Sequence, residues 1–101
     1  MGVPMGKYVK ASTDRKRYQI DYTNWLDTGE LVSSAVFSIP INRLTPLLVV
    51  NDVQVLPTGL GVQFYVSGGV DGITYRILSA ITTNTGPQNK LDEILITIRE
   101  P

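Results

Sequence analysis

Apolar and polar residues alternate with a period of two along most of this chain, and nowhere do apolar residues recur at helical spacing over a useful window. Tyr18, Ile20 and Tyr22 fall on one face with Arg17, Gln19 and Asp21 on the other, the pattern of a half-buried strand. A polar loop follows over residues 23–30, with Trp25 and Leu26 as an apolar plug. A second strand, rich in Ser and Val, is predicted from about Leu31 to Ile39 and closes at Pro40, which cannot donate to a ladder. Residues 40–47, with Pro40 and Pro46, read as a crossover. Residues 48–56 read as a strand with a bend or bulge at Asn51-Asp52, and Pro57-Thr58-Gly59 as a turn.

Val62, Phe64 and Val66 alternate with Gln63, Tyr65 and Ser67, and Ile73, Tyr75 and Ile77 alternate with Thr74 and Arg76. Asp71-Gly72 between these runs predicts a hairpin, because glycine reaches positive φ at little cost. The second run continues to Thr82, and residues 83–89 form a loop. In the last strand Ile94, Ile96 and Ile98 face one way and Glu93, Thr97 and Arg99 the other, with Leu95 breaking the polar face. Six or seven short strands with frequent turn signals imply a sandwich or a barrel. We expect an all-β fold: an immunoglobulin-like β-sandwich of about seven strands, with an open barrel as the alternative. Trp25 is expected to be buried at the edge of its core.

Residues 1–13 contain two glycines, a proline and no sustained period, and read as an extended N-terminal arm ahead of a sandwich domain over residues 14–101. The arm carries Val3, Met5, Tyr8 and Val9, which suit it to docking on a neighbour; the rival is that it pairs with its own sheet as a first strand. A docking arm predicts that a chain lacking residues 1–13 folds with nearly unchanged melting yet fails to assemble. Tyr65, opposite Phe64 on its strand, and Leu95 are the other candidate contact residues.

Composition narrows the chemistry. A chain of 101 residues fits one domain with one modest core. It holds no cysteine and no histidine, so it lacks disulfides, thiolates and the commonest general base and metal ligand. Net charge is zero but uneven: residues 1–20 hold five basic residues against Asp14, and the remainder holds four against eight acids. The basic end lacks the arginine density and interleaved aromatics of a nucleic-acid surface. The longest apolar run, residues 47–50, is too short to span a bilayer, and no signal peptide opens the chain, so folding in a cytoplasm is expected.

Asp21, Asp27 and Glu30 are the only early acidic cluster, and without calcium-loop spacing they read as a solvated loop. Ser33-Ser34 has no histidine to activate it. Gly59-x-Gly61 lacks the third glycine and the helix of a nucleotide site. Ser67-Gly68-Gly69 reads as a turn ahead of an anion-binding nest. No catalytic residue, cofactor, metal, small-molecule substrate, nucleic acid or membrane is expected.

The order Asp21-Tyr22-x-x-Trp25-Leu26, a Ser-rich strand, Ser67-Gly68-Gly69-x-x-Gly72-x-x-Tyr75, Ile81-Thr82-Thr83 with Gly86, and an alternating last strand resembles the small immunoglobulin-like virion proteins of tailed bacteriophages. In particular it resembles those called fibre–tail adaptor proteins, over most of residues 18–99; residues 40–60 are longer and more apolar than that pattern. The resemblance implies a structural virion protein, assembled in the host cytoplasm. It would join tail fibres to the tail or neck in multiple copies and have no catalytic residues. A capsid decoration protein and a carbohydrate-binding module are the competing readings. The second would show two or three exposed aromatics on one face.

Overall fold

The computed structural model describes residues 6–84 and 87–100. It contains seven strands: β1 (Gly6–Lys10), β2 (Lys16–Asp21), β3 (Val32–Ser38), β4 (Leu48–Val55), β5 (Gly61–Gly68), β6 (Thr74–Thr83) and β7 (Asn89–Ile98). They form two packed sheets, β1-β7-β6-β3 and β2-β5-β4. The pairings are antiparallel except for β1, which runs parallel to β7. The order β7-β6-β3 in one sheet and β2-β5-β4 in the other is the immunoglobulin order, so the fold is the expected immunoglobulin-like sandwich.

The core forms where the predicted apolar faces meet. Tyr18 and Ile20 of β2 and Val62, Phe64 and Val66 of β5 pack against Tyr75, Ile77 and Ile81 of β6 and Ile94, Ile96 and Ile98 of β7. An aromatic chain crosses this core. Tyr8 lies 4.8 Å from Tyr18, Tyr18 lies 5.7 Å from Phe64, and Phe64 lies 4.5 Å from Phe37, all between ring centroids. The chain runs from the β1 edge to the β3 edge and ties four strands drawn from both sheets.

Buried polar groups find partners inside. The Tyr22 hydroxyl lies 3.2 Å from Ser79 Oγ. Tyr75, near the start of β6, accepts a 3.0 Å hydrogen bond at its hydroxyl from the Val70 backbone N–H five residues upstream. This is the tyrosine corner of immunoglobulin-like sandwiches, and it fixes the turn between β5 and β6. Tyr75→Phe keeps the ring and removes only that acceptor. It should cost about 1–2 kcal/mol and lower Tm by several degrees, readable in a thermal melt.

Three expectations change. First, β5 and β6 do not form a hairpin. They belong to different sheets, and residues 69–73 carry the chain across the core. Gly68, Gly69 and Gly72 make the reversal at φ values of 74°, 96° and 84°. A Cβ on Gly68 would stand 2.3 Å from the Leu47 carbonyl oxygen. Val62, Phe64 and Val66 thus face Tyr75 and Ile77 across the core instead of along one sheet. Period-two alternation with a glycine turn is common to both arrangements.

Second, residues 6–10 of the expected arm occupy the rival seat: β1 pairs with β7 of its own sheet, Gly6 opposite Ile94 and Lys10 opposite Ile98. Lys10 is buried, and its ammonium donates to the Ala11 and Gly68 carbonyl oxygens at 2.6 and 2.8 Å, tying β1 to the end of β5. Burial pulls its pKa below the ordinary lysine value, against the pull of Asp14 and Glu100. Third, Trp25 is half-buried rather than buried: its ring meets Tyr22 edge-on at 6.5 Å and lids one end of the core.

The predicted bulge and the turn after β4 are both present. The bulge predicted at Asn51-Asp52 interrupts the β4–β5 register between Asn51 and Gln54, with Asp52 at φ 51°. Pro57-Thr58-Gly59 turns with Gly59 N–H donating to the Leu56 carbonyl at 2.8 Å.

Candidate docking surfaces

The two outer faces of the sandwich differ in chemistry. On the three-stranded sheet the outward side chains of β2 and β5 are largely polar. Gln19 donates to Gln63 at 3.2 Å across the two strands. Arg15 reaches over from the loop before β2, pairs with Asp52 of β4 and lies 3.9 Å above the centre of the Tyr65 ring. Tyr65, a candidate exposed contact, is therefore half-buried under a guanidinium.

The four-stranded sheet presents several exposed apolar side chains on an otherwise polar outer face. Leu95 and Val9 both lie on it, on adjacent strands, and Val9 is 61% exposed. Leu95 stands between Lys7 of β1 and Arg76 of β6 in the register. Farther along, Val36, Ala80 and Leu91 align across β3, β6 and β7; Val36 is 67% and Leu91 59% exposed. An Arg76–Glu93 ion pair, 2.5 Å between Nε and Oε2, crosses the middle of the face. Large apolar side chains left on a sheet exterior mark contact surfaces more often than scattered single ones do.

Of the other candidates, Tyr8 points inward onto Tyr18 and keeps 41% of its surface exposed at the sandwich edge. Val3 and Met5 lie outside the described residues. The structure thus places Val9 and Leu95 on one face, diagonal to each other on adjacent strands, and sets Tyr8 and Tyr65 apart from them.

A second apolar feature sits on the crossover between β3 and β4. Ile41, Leu44, Ile73 and Tyr75 line a groove of about 250 Å³, with Arg43 on its wall. Asn42 holds the crossover in shape: its side-chain amide donates to the Leu48 carbonyl at 2.8 Å, and its side-chain oxygen accepts the Leu48 N–H at 3.0 Å. In sequence this stretch reads as a crossover whose apolar residues, Ile41 and Leu44, are the signal for the groove.

The acidic loop serves the fold. Asp21 accepts the Thr23 N–H at 2.8 Å, and this bond together with the Thr23 hydroxyl, the larger contribution, holds the Asp21 carboxyl below the usual range. Glu30 accepts the Asp27 N–H at 3.2 Å and the Gln88 side-chain amide at 3.1 and 3.3 Å, and the first of these leads in lowering its pKa. The same Gln88 amide donates to Asp27 at 3.1 Å, which links the loops at this end of the sandwich. Lys90 lies 5.7 Å from the Trp25 ring centre, above the plug, and pairs with Asp92 at 3.0 Å. No group of three or more acidic, cysteine or histidine side chains is placed to hold a metal ion among the described residues.

Comparison with known proteins yields one finding. The family described as podophage GP4 fiber-tail adaptor protein gp77 matches residues 10–97, from the end of β1 almost to the end of β7. No curated protein and no solved structure matches.

Proposed function

Because the chain belongs to the podophage GP4 fiber-tail adaptor family, we propose that it is a virion component that joins a tail fibre to the tail or neck through protein–protein contacts and without catalysis. The observation that supports this reading beyond the family is the set of apolar side chains on the outer face of the four-stranded sheet, with Val9 diagonal to Leu95 across β1 and β7 and Val36, Ala80 and Leu91 in a row beyond them. An adaptor must touch two different neighbours at once. One sheet exterior with several exposed apolar side chains and one largely polar exterior supply two surfaces of different chemistry, facing opposite ways. Lys7, Arg76 and Glu93 stand in register beside Leu95 and Leu78, so a partner on this face would meet charged and apolar side chains together.

The test is assembly. Val9→Lys with Leu95→Lys places two charges on this face without touching the core, and the double variant should melt close to the parent. It should be left out of particles, and those particles should carry tails without fibres. Variant particles with their fibres in place would overturn the reading. So would a defect confined to capsid stability, which is the outcome for a decoration protein.

A further inference from the structure

Each sheet has two edge strands, and three of these four edges are guarded. β1 carries Lys7 and Lys10, β2 carries Lys16, Arg17 and Asp21, and β4 is bent by its bulge at Asp52. Charges and bulges on edge strands prevent edge-to-edge pairing. β3 has no charged residue and no proline in Val32–Ser38, and its irregularity is confined to the Val32/Ser34 end. Its remaining five residues, Ser34-Ala35-Val36-Phe37-Ser38, pair with β6 on one side only. No backbone hydrogen bond from these five residues to anything but β6 is found among the described residues.

We infer that the free edge of β3 is the contact between two copies of this chain, paired antiparallel about a two-fold axis through Val36. The sequence of the edge is self-complementary about that residue. Ser34 falls opposite the second copy's Ser38, Ala35 opposite Phe37, and Val36 opposite Val36. Ser–Ser pairs hydrogen-bond across strands, and a small residue beside a large one fills the half-buried flank of Phe37. A two-fold contact of this kind requires one patch to complement itself, and like charges would oppose it at the β1 and β2 edges. On the outer face the pairing would join the two Val36-Ala80-Leu91 rows into one apolar band across an eight-stranded sheet. This inference does not depend on the adaptor reading, since it concerns the chain's contact with itself.

Sedimentation of the purified chain over a micromolar to sub-millimolar range should show a monomer–dimer equilibrium. Val36 is 67% exposed, so Val36→Lys and Val36→Glu should each fold, as dichroism and melting would verify. Each should weaken dimerisation by about tenfold or more, as a residue at the centre of an interface does. An equimolar mixture of the two should dimerise again, because the opposite charges then face each other. The chain has no cysteine, so Val36→Cys offers a single thiol. Directly opposed strand residues hold their Cβ atoms about 4.5–5.5 Å apart, close enough for oxidation to link the copies with slight adjustment. A chain that stays monomeric throughout, a dimer unaffected by Val36→Lys, or a lysine–glutamate mixture that does not reassociate would each overturn the inference.

Discussion

Phe64→Ala is expected to remove about 3–5 kcal/mol of stability, as truncation of a fully buried aromatic does. The ring is fully buried, and it sits between Tyr18 and Phe37 in the aromatic chain that links the two sheets. Its loss therefore removes apolar burial and two ring contacts, and leaves a cavity walled by both sheets. Those walls are held by ladders on either side and cannot close far. Against a total of roughly 5–15 kcal/mol for a domain of this kind, the change consumes a large part of the margin. Urea unfolding should show a lower midpoint with a similar slope. A loss below about 1 kcal/mol would mean that the two sheets collapse onto the vacancy. Lys16→Ala, exposed on β2, should stay within about 0.5 kcal/mol and serves as the control.

Removal of residues 1–10 is the second large effect. As a docking arm, residues 1–13 would be dispensable for folding, and their loss would leave melting nearly unchanged. The structure places residues 6–10 in the sheet, so the opposite is expected. Deletion strips the parallel ladder from β7, lifts Tyr8 off Tyr18 and withdraws the Lys10 ammonium from the Gly68 carbonyl. The tie between the β1 edge and the end of β5 goes with it, and β7 becomes an open edge. The melting temperature should fall by roughly 10 °C or more, equivalent to about 2 kcal/mol for a domain of this size. Tyr8→Ala separates the ring from the strand and should account for part of that fall. A truncated chain that melts like the parent would show that β1 adds nothing to the fold.

These two results bear on what the residues alone disclose. The alternation of Tyr18-Ile20-Tyr22, Val62-Phe64-Val66 and Ile94-Ile96-Ile98 reports burial directly, because each strand packs one face on the core, and those strands and the sandwich were legible. Strand partnership was not. A glycine turn between two alternating runs serves a hairpin and a change of sheet equally well, so the β5–β6 connection was misread. For β1 the sequence leaves docking and self-pairing both open, because its five residues include a lysine whose buried ammonium reads, in sequence, as a solvated charge.

The docking face was half legible. Leu95 stood out because it broke a polar face, and Val9 because it is one of the apolar residues scattered along the N-terminal arm. Val36 did not, since Ala35 and Phe37 beside it are also apolar, and the irregularity between Val32 and Ser34 shifts the phase of the strand. Tyr65 appeared exposed because nothing local announces that Arg15, fifty residues away, covers its ring and anchors on Asp52.

The central claim, that the chain is an adaptor between tail and fibre, is tested most directly by a cryo-electron-microscopy map of the intact particle of the phage that encodes it. The account predicts a seven-stranded sandwich lodged between the tail or neck and the base of a fibre, with the Val9 and Leu95 face of the four-stranded sheet turned into one of those contacts. A sandwich found on the outer surface of the capsid, or seated on the tail with that face open to solvent and no fibre attached, would contradict it.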